Sequence, residues 1–184
     1  MRSSHIRASI ASYFRYKRQC PLIAFERACL EIRANPDILI VNKNRMLIEV
    51  EVKTSVADFK NDAKKRIWQI RNSEYHKTLM PYQFYYAVPL DLKDKCLKVM
   101  NGWEEKDKKC GKMGLLSVMD KEEIGWNDVT VYKKSPINKK SKPISLKNIV
   151  KMSLHQSGSL CTIAIKIAKY ERLKHSECRT TKTP

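Results

Sequence analysis

The stretch from Asp37 to Lys53 constrains the fold of this chain more than any other. Asp37-Ile-Leu-Ile-Val41 is a β-branched run, the composition of a buried strand. Asn42-Lys-Asn-Arg45 is polar and turn-like, and Met46-Leu-Ile-Glu-Val-Glu-Val-Lys53 returns as a second strand. The simplest joining of the two is a hairpin. Side chains alternate along a strand, so Glu49, Glu51 and Lys53 share one face and Ile48, Val50 and Val52 share the other. A half-polar strand inside an apolar sheet is unusual, and solvent on one face of an antiparallel sheet explains it most cheaply.

Around the hairpin the periodicity predicts an α/β chain. Ile6 to Arg18 reads as a helix with Ile6, Ile10, Tyr13 and Phe14 on one face, stopped by Pro21. Leu22 to Leu30 reads as a strand of imperfect alternation. Val56 to Leu79 reads as a long helix capped by Thr54 or Ser55, its narrow apolar stripe formed by Val56, Phe59, Ala63, Ile67 and Ile70. Gln83 to Val88 is an aromatic strand closed by Pro89, and its Phe84-Tyr85-Tyr86 cluster reads as core on both faces rather than as a base-stacking platform. A short helix over Leu92 to Met100 ends at Asn101-Gly102, and two further strands, Gly114 to Met119 and Asp128 to Tyr132, flank an acidic turn. A basic connector over Lys133 to Lys142 leads to a helical segment from Leu146 to Leu173 with a break at Ser157-Gly158-Ser159. This divides the chain into a domain over residues 1–135 and a basic linker with a helical extension over 136–184.

Composition narrows the classes of function. Hydrophobic residues make up 42% of the 184, enough for a core. No run of about 18 apolar residues appears, so no membrane span is expected, and no secretory signal is recognisable. The chain holds 37 Lys and Arg against 19 Asp and Glu, a net charge of +18. The excess gathers at the ends: Lys133 onward holds thirteen Lys or Arg and two Glu, and residues 1–19 hold five and no acid. A field of that sign concentrates polyanions, of which nucleic acid is the commonest. Six cysteines show no Cys-x-x-Cys spacing and no histidine at zinc-ligand distance, so they read as small apolar filler in a reducing cytoplasm.

Chemistry enters through Asp37, Glu51 and Lys53. Two carboxylates on adjacent strands, with thirteen residues between them in the chain, can converge at one end of the pair. Their mutual repulsion is removed by a divalent cation, and all-oxygen ligands suit magnesium or manganese. Such an ion lowers the pKa of a bound water and stabilises charge on a phosphate. Lys53, on the same face as Glu51, is placed to hold the attacking water or to offset the developing charge.

These residues carry a resemblance. Asn-Pro-Asp-Ile-Leu-Ile-Val and Ile-Glu-Val-Glu-Val-Lys-Thr-Ser, then Val-Ala-Asp-Phe-Lys-Asn-Asp-Ala-Lys-Lys and Gln-Phe-Tyr-Tyr-Ala-Val-Pro, resemble the PD-(D/E)XK nuclease superfamily over about residues 20 to 135. The Asp-Phe-x-x-Asp-x-x-Lys helix and the aromatic strand are similar to the MmcB-like group of DNA repair and phage nucleases. The resemblance implies a restriction-endonuclease-like αβββαβ core, a mixed central sheet flanked by helices, here with a basic C-terminal helical extension. It implies Asp37, Glu51 and the Val52 carbonyl as ligands of Mg2+, with Mn2+ able to substitute, and Lys53 as the catalytic lysine. It further implies DNA as the substrate in a bacterial or phage-infected cell.

Many members carry a further acid on the first helix, and Ile6 to Arg18 has none. Glu26 or Glu31 could replace it. Glu49 either supports the site or meets solvent. Asp58 and Asp62 open the next helix, where negative charge suits the N-terminal dipole, and Lys65 either reaches a phosphate or pairs with Asp62. The expectation is a metal-dependent DNA endonuclease. An RNA endonuclease, a nuclease fold that binds nucleic acid without cutting it, a purely structural basic protein and a homodimer all stay open.

Overall fold

The computed structural model describes residues 1–25, 36–62, 81–106, 113–121 and 128–158. In chain order they form helix α1 (Ser3–Ser12), a π-helical turn (Tyr13–Lys17), strands β1 (Leu22–Phe25), β2 (Ile38–Val41) and β3 (Leu47–Val52), helix α2 (Val56–Asp62), strand β4 (Gln83–Pro89), a 3-10 turn (Leu90–Leu92), helix α3 (Lys93–Lys106), and strands β5 (Gly114–Val118) and β6 (Val129–Lys133). Residues 146–158 add a further helix, α4. The fold is mixed α/β. The six strands among the described residues make one sheet in the order β1-β2-β3-β4-β5-β6. The β3–β4 and β4–β5 pairs are parallel, and the remaining three are antiparallel.

The hairpin forms as its sequence predicts. Asn42 Oδ1 accepts the Asn44 and Met46 amides, each at 2.9 Å, and Arg45 takes the left-handed conformation (φ 58°) that reverses the chain. Ile38 then pairs with Val50, and Ile40 with Ile48.

Alternation sorts the side chains into two layers. Ile38, Ile40, Ile48, Val50, Val52, Tyr85 and Ala87 face α1 and the π-helical turn, which bury Ile6 and Ile10, and Tyr13 and Phe14, against them. On the opposite face Phe84, Tyr86, Val88 and Leu115 pack with Phe59 of α2 and with Cys96 and Met100 of α3. The same face continues over Leu39, Val41 and Leu47, which Met152 of α4 covers.

Both faces of β3 are therefore covered, and the solvent explanation for its polar residues fails. Glu49 is 1% exposed and Lys53 4%. The parallel β3–β4 pairing gives the physical reason, because a parallel connection crosses over one face and helices fill it.

A second expectation is corrected at α3, which continues through Asn101 and Gly102 to Lys106. Trp103 stacks on Phe59 (centroids 5.2 Å apart, planes within 7°), and that packing outweighs the local stop signal. The basic connector after β6 is held to the sheet: Ser135 Oγ accepts the Phe84 amide at 3.0 Å, and the Ile144 amide donates to the Arg45 carbonyl at 2.8 Å. Among the described residues no helix is long and apolar enough to cross a membrane.

Candidate functional site

The antiparallel register that pairs Ile38 with Val50 sets Asp37 opposite Glu51, one step further along. Both lie where β2 begins and β3 ends, at the carboxyl end of the parallel β3–β4 pair. Open sheets with parallel strands bind ligands at that end. Lys53 follows β3 directly, and its amide donates to the Ala87 carbonyl at 2.9 Å, so the ladder with β4 holds its backbone.

Each oxygen of Asp37 has a partner. Oδ2 accepts the Val52 amide at 2.8 Å. Oδ1 accepts from Arg7 Nη2 of α1 at 2.5 Å, an ion pair whose side chains are 20% and 28% exposed. Val52 thus serves the site through its amide. Helix α1 thus sends a guanidinium to Asp37.

Lys53 is drawn inward. Its ammonium lies 2.7 Å from Asp62 Oδ1, 3.6 Å from Glu51 Oε2 and 4.0 Å from Asp58 Oδ2. The Asp62 contact is an ion pair off the line of a hydrogen bond. Asp62 Oδ2 accepts the Tyr86 hydroxyl at 2.6 Å. A buried ammonium is tolerated only when its charge is paired.

Helix α2 delivers these acids because Ser55 Oγ accepts the Asp58 amide at 3.1 Å and starts the helix immediately after Lys53. Phe59 then anchors it in the aromatic layer. Asp62, three positions on from Phe59, points to the same buried side. Its part is therefore to hold Lys53 and not to serve the helix dipole. Asp58, with its side chain 55% exposed, is compatible with the dipole role.

Of the predicted site residues, Asp37 is bonded to the Val52 amide and Lys53 lies against Glu51, while Glu49 sits inside the covered face away from solvent. Glu26, Glu31 and Lys65 lie outside the described residues. Arg7, Asp62 and Tyr86 were missed. Asp62 had a usable signal, a carboxylate on the apolar side of a helix; Arg7 and Tyr86 had none before the packing of α1 and α2 was known.

By chemistry the donors suit a hard divalent cation: two carboxylate residues, opposite each other in the strand register, all oxygen. Among the described residues no three acidic, histidine or cysteine side chains form a metal cage. Magnesium is commonly held by one or two carboxylates and completes its shell with water, so a pair of carboxylates is a donor set that such an ion can use. Arg7 on Asp37 and Lys53 beside Glu51 offset part of the carboxylate charge there.

No protein-family model matches the chain, and no curated protein does. One solved structure is similar, the SPO1766 protein of unknown function from Silicibacter pomeroyi, at 15% identity and a TM-score of 0.57 over 89% of this chain and 92% of that one. At that identity the likeness concerns the fold.

Proposed function

We propose that this protein is a magnesium-dependent nuclease of the PD-(D/E)XK type acting on DNA. The observation that carries the reading is Lys53, an ammonium held 3.6 Å from Glu51 at the strand end where Asp37 stands opposite. The element order helix, three strands, helix, strand is the order that this type of core requires, and it supports the reading. Asp37 and Glu51 would hold the ion, with the Val52 carbonyl as a further oxygen. When bound there, magnesium supplies charge neutralisation at the scissile phosphate and activation of water. The chain does the remaining work. The Val52 amide fixes the Asp37 carboxylate, and Lys53 orients the nucleophile and offsets the charge that develops on the phosphate.

The basic helix α4 supports a polyanionic substrate. It starts beside the hairpin, where Ile144 bonds to Arg45, and runs to the Phe25 carbonyl, which Gln156 Nε2 contacts at 3.4 Å. Phe25 pairs with Ile38, the neighbour of Asp37, so α4 runs toward the candidate site with Lys147 and Lys151 exposed along it.

The test is cleavage of plasmid, single-stranded DNA and RNA with Mg2+ or Mn2+, by wild type, Asp37→Ala and Lys53→Ala. Cleavage of DNA that Asp37→Ala abolishes and Lys53→Ala lowers to a small but measurable residual rate is the expected result. Equal activity in all three proteins would overturn the assignment, and preference for RNA would move the substrate class. Arg7 seated on Asp37 favours one second reading, a nucleic-acid-binding protein that does not cut. Salt-sensitive DNA binding without cleavage in either metal would establish it.

A further inference from the structure

Lys53 is held from a side that has no part in binding a metal. Its ammonium is reached by Asp62 from α2 at 2.7 Å, and Asp62 is itself fixed from β4 by the Tyr86 hydroxyl at 2.6 Å. Tyr86 is fully buried. Its ring lies 4.7 Å from Phe59, 5.1 Å from Phe84 and 6.2 Å from Trp103, so the hydroxyl has little freedom to move. Tyr86 also pairs with Glu51 in the parallel register, which ties this support to the strand position that carries the candidate ligand.

A lysine at a strand end carries a flexible four-carbon stem and ordinarily extends into water. Here it is 4% exposed, because a chain of contacts from an aromatic cluster through Tyr86 and Asp62 holds the ammonium against the sheet. Resting on the nuclease reading, we infer that Asp62 and Tyr86 are positioning residues, which set Lys53 at the distance from Glu51 that the reaction uses.

A purely structural ion pair would hold α2 to the sheet and leave Lys53 indifferent to Asp62 once the fold is intact. Positioning predicts a different pattern, because a displacement of about 1 Å at a reacting group costs on the order of 100-fold. Asp62→Asn should lower kcat by about 100-fold and leave KM for DNA within about twofold. Tyr86→Phe keeps the ring in its aromatic box and removes one hydroxyl. It should lower kcat by about 5- to 10-fold, and it is the variant to use if Asp62→Asn does not fold.

The deciding comparison is Asp62→Asn in a Lys53→Ala background. If Asp62 acts through Lys53, the double variant cuts no more slowly than Lys53→Ala alone. A further loss of about 10-fold or more in the double variant would overturn the inference, and so would an unchanged kcat in folded Asp62→Asn or Tyr86→Phe.

A second measurement needs no substrate. In a 15N spectrum of the lysine ammonium groups, Lys53 should give a slowly exchanging signal in wild type that Asp62→Asn removes and Tyr86→Phe broadens. If wild type cuts no nucleic acid, the proposed function fails, and this signal still decides whether Asp62 holds Lys53. Its absence from wild type would overturn the positioning inference whatever the activity.

Discussion

If Asp37 and Glu51 hold an ion as proposed, Arg7 occupies a place that the ion needs, and Arg7→Met tests that competition. Arg7 Nη2 donates to Asp37 Oδ1 at 2.5 Å, while the Val52 amide holds the other oxygen at 2.8 Å. A cation that ligates Oδ1 must displace the guanidinium. A hydrogen bond to a charged group contributes about 1.5–3 kcal/mol. With the two side chains 20–28% exposed, solvent screening argues for the lower half of that range, about 1.5–2 kcal/mol. Removing the competitor therefore tightens metal binding by about 10- to 30-fold at about 1.4 kcal/mol per tenfold. Unrelieved repulsion between Asp37 and Glu51 in the metal-free variant acts in the same direction. Isothermal titration with Mn2+ at low ionic strength measures the change. A thermal melt should find metal-free Arg7→Met less stable than wild type, with Mn2+ restoring more stability to the variant. If Arg7→Met bound Mn2+ no more tightly than wild type, while Asp37→Ala abolished binding, the ion and the guanidinium would not share Oδ1. If wild type bound no Mn2+ at millimolar concentration, the metal assignment would fail altogether.

Three further predictions follow from packing and burial. Gly114 opens β5 where a Cβ would meet the Tyr85 ring and approach the Ser135 amide nitrogen to 2.6 Å; one of those neighbours is backbone, so Gly114→Ala should destabilise the fold by about 1–3 kcal/mol in urea denaturation. Met152 is fully buried against Leu39, Val41 and Leu47, so Met152→Ala should cost about 2–5 kcal/mol and raise hydrogen exchange across residues 146–158 before it does so in β3. Burial pushes the Cys96 thiol up to about 11 from 9.0, so at pH 8 it should resist a thiol-reactive dye until the protein unfolds. Because the folded form keeps that proton longer than the unfolded form, this group's contribution to stability is full below pH 9 and is lost as pH rises toward 11, which a series of melts over that range can read.

The parts of the site legible in the sequence are those written in local order. Asp37, Glu51 and Lys53 could be set side by side because a two-residue alternation and a short turn fix a hairpin register without reference to the rest of the chain. Asp62 and Tyr86 depend on how α2 folds back over the sheet, a contact between residues that only the parallel crossover brings together. Glu49 shows the same limit from the other side. Its place on a half-polar strand allows either the site or solvent, and only the helices over that face decide that it is buried. The end of α3 was misjudged for a related reason: Asn101-Gly102 is a valid local stop, but Trp103 gains more by stacking on Phe59 than the helix loses at those two residues.

Long-range and local charge differ in sign, and that contrast bears on how the site would work. The chain carries +18, so a polyanion is drawn to it from a distance. Yet five of its nineteen acids, Asp37, Glu49, Glu51, Asp58 and Asp62, fall between residues 37 and 62, and three of them surround the single ammonium of Lys53. A phosphate arriving at that strand end meets carboxylates that repel it. A divalent cation held between Asp37 and Glu51, as proposed, would reverse the local sign and make the two fields act together. The prediction is that DNA binding to the basic surface persists with a chelator present and weakens with salt, while protection of a discrete phosphate by the site requires the ion. Footprinting with and without Mn2+, on wild type and Asp37→Ala, separates the two. Identical footprints in all four conditions would mean that the acidic cluster takes no part in holding nucleic acid.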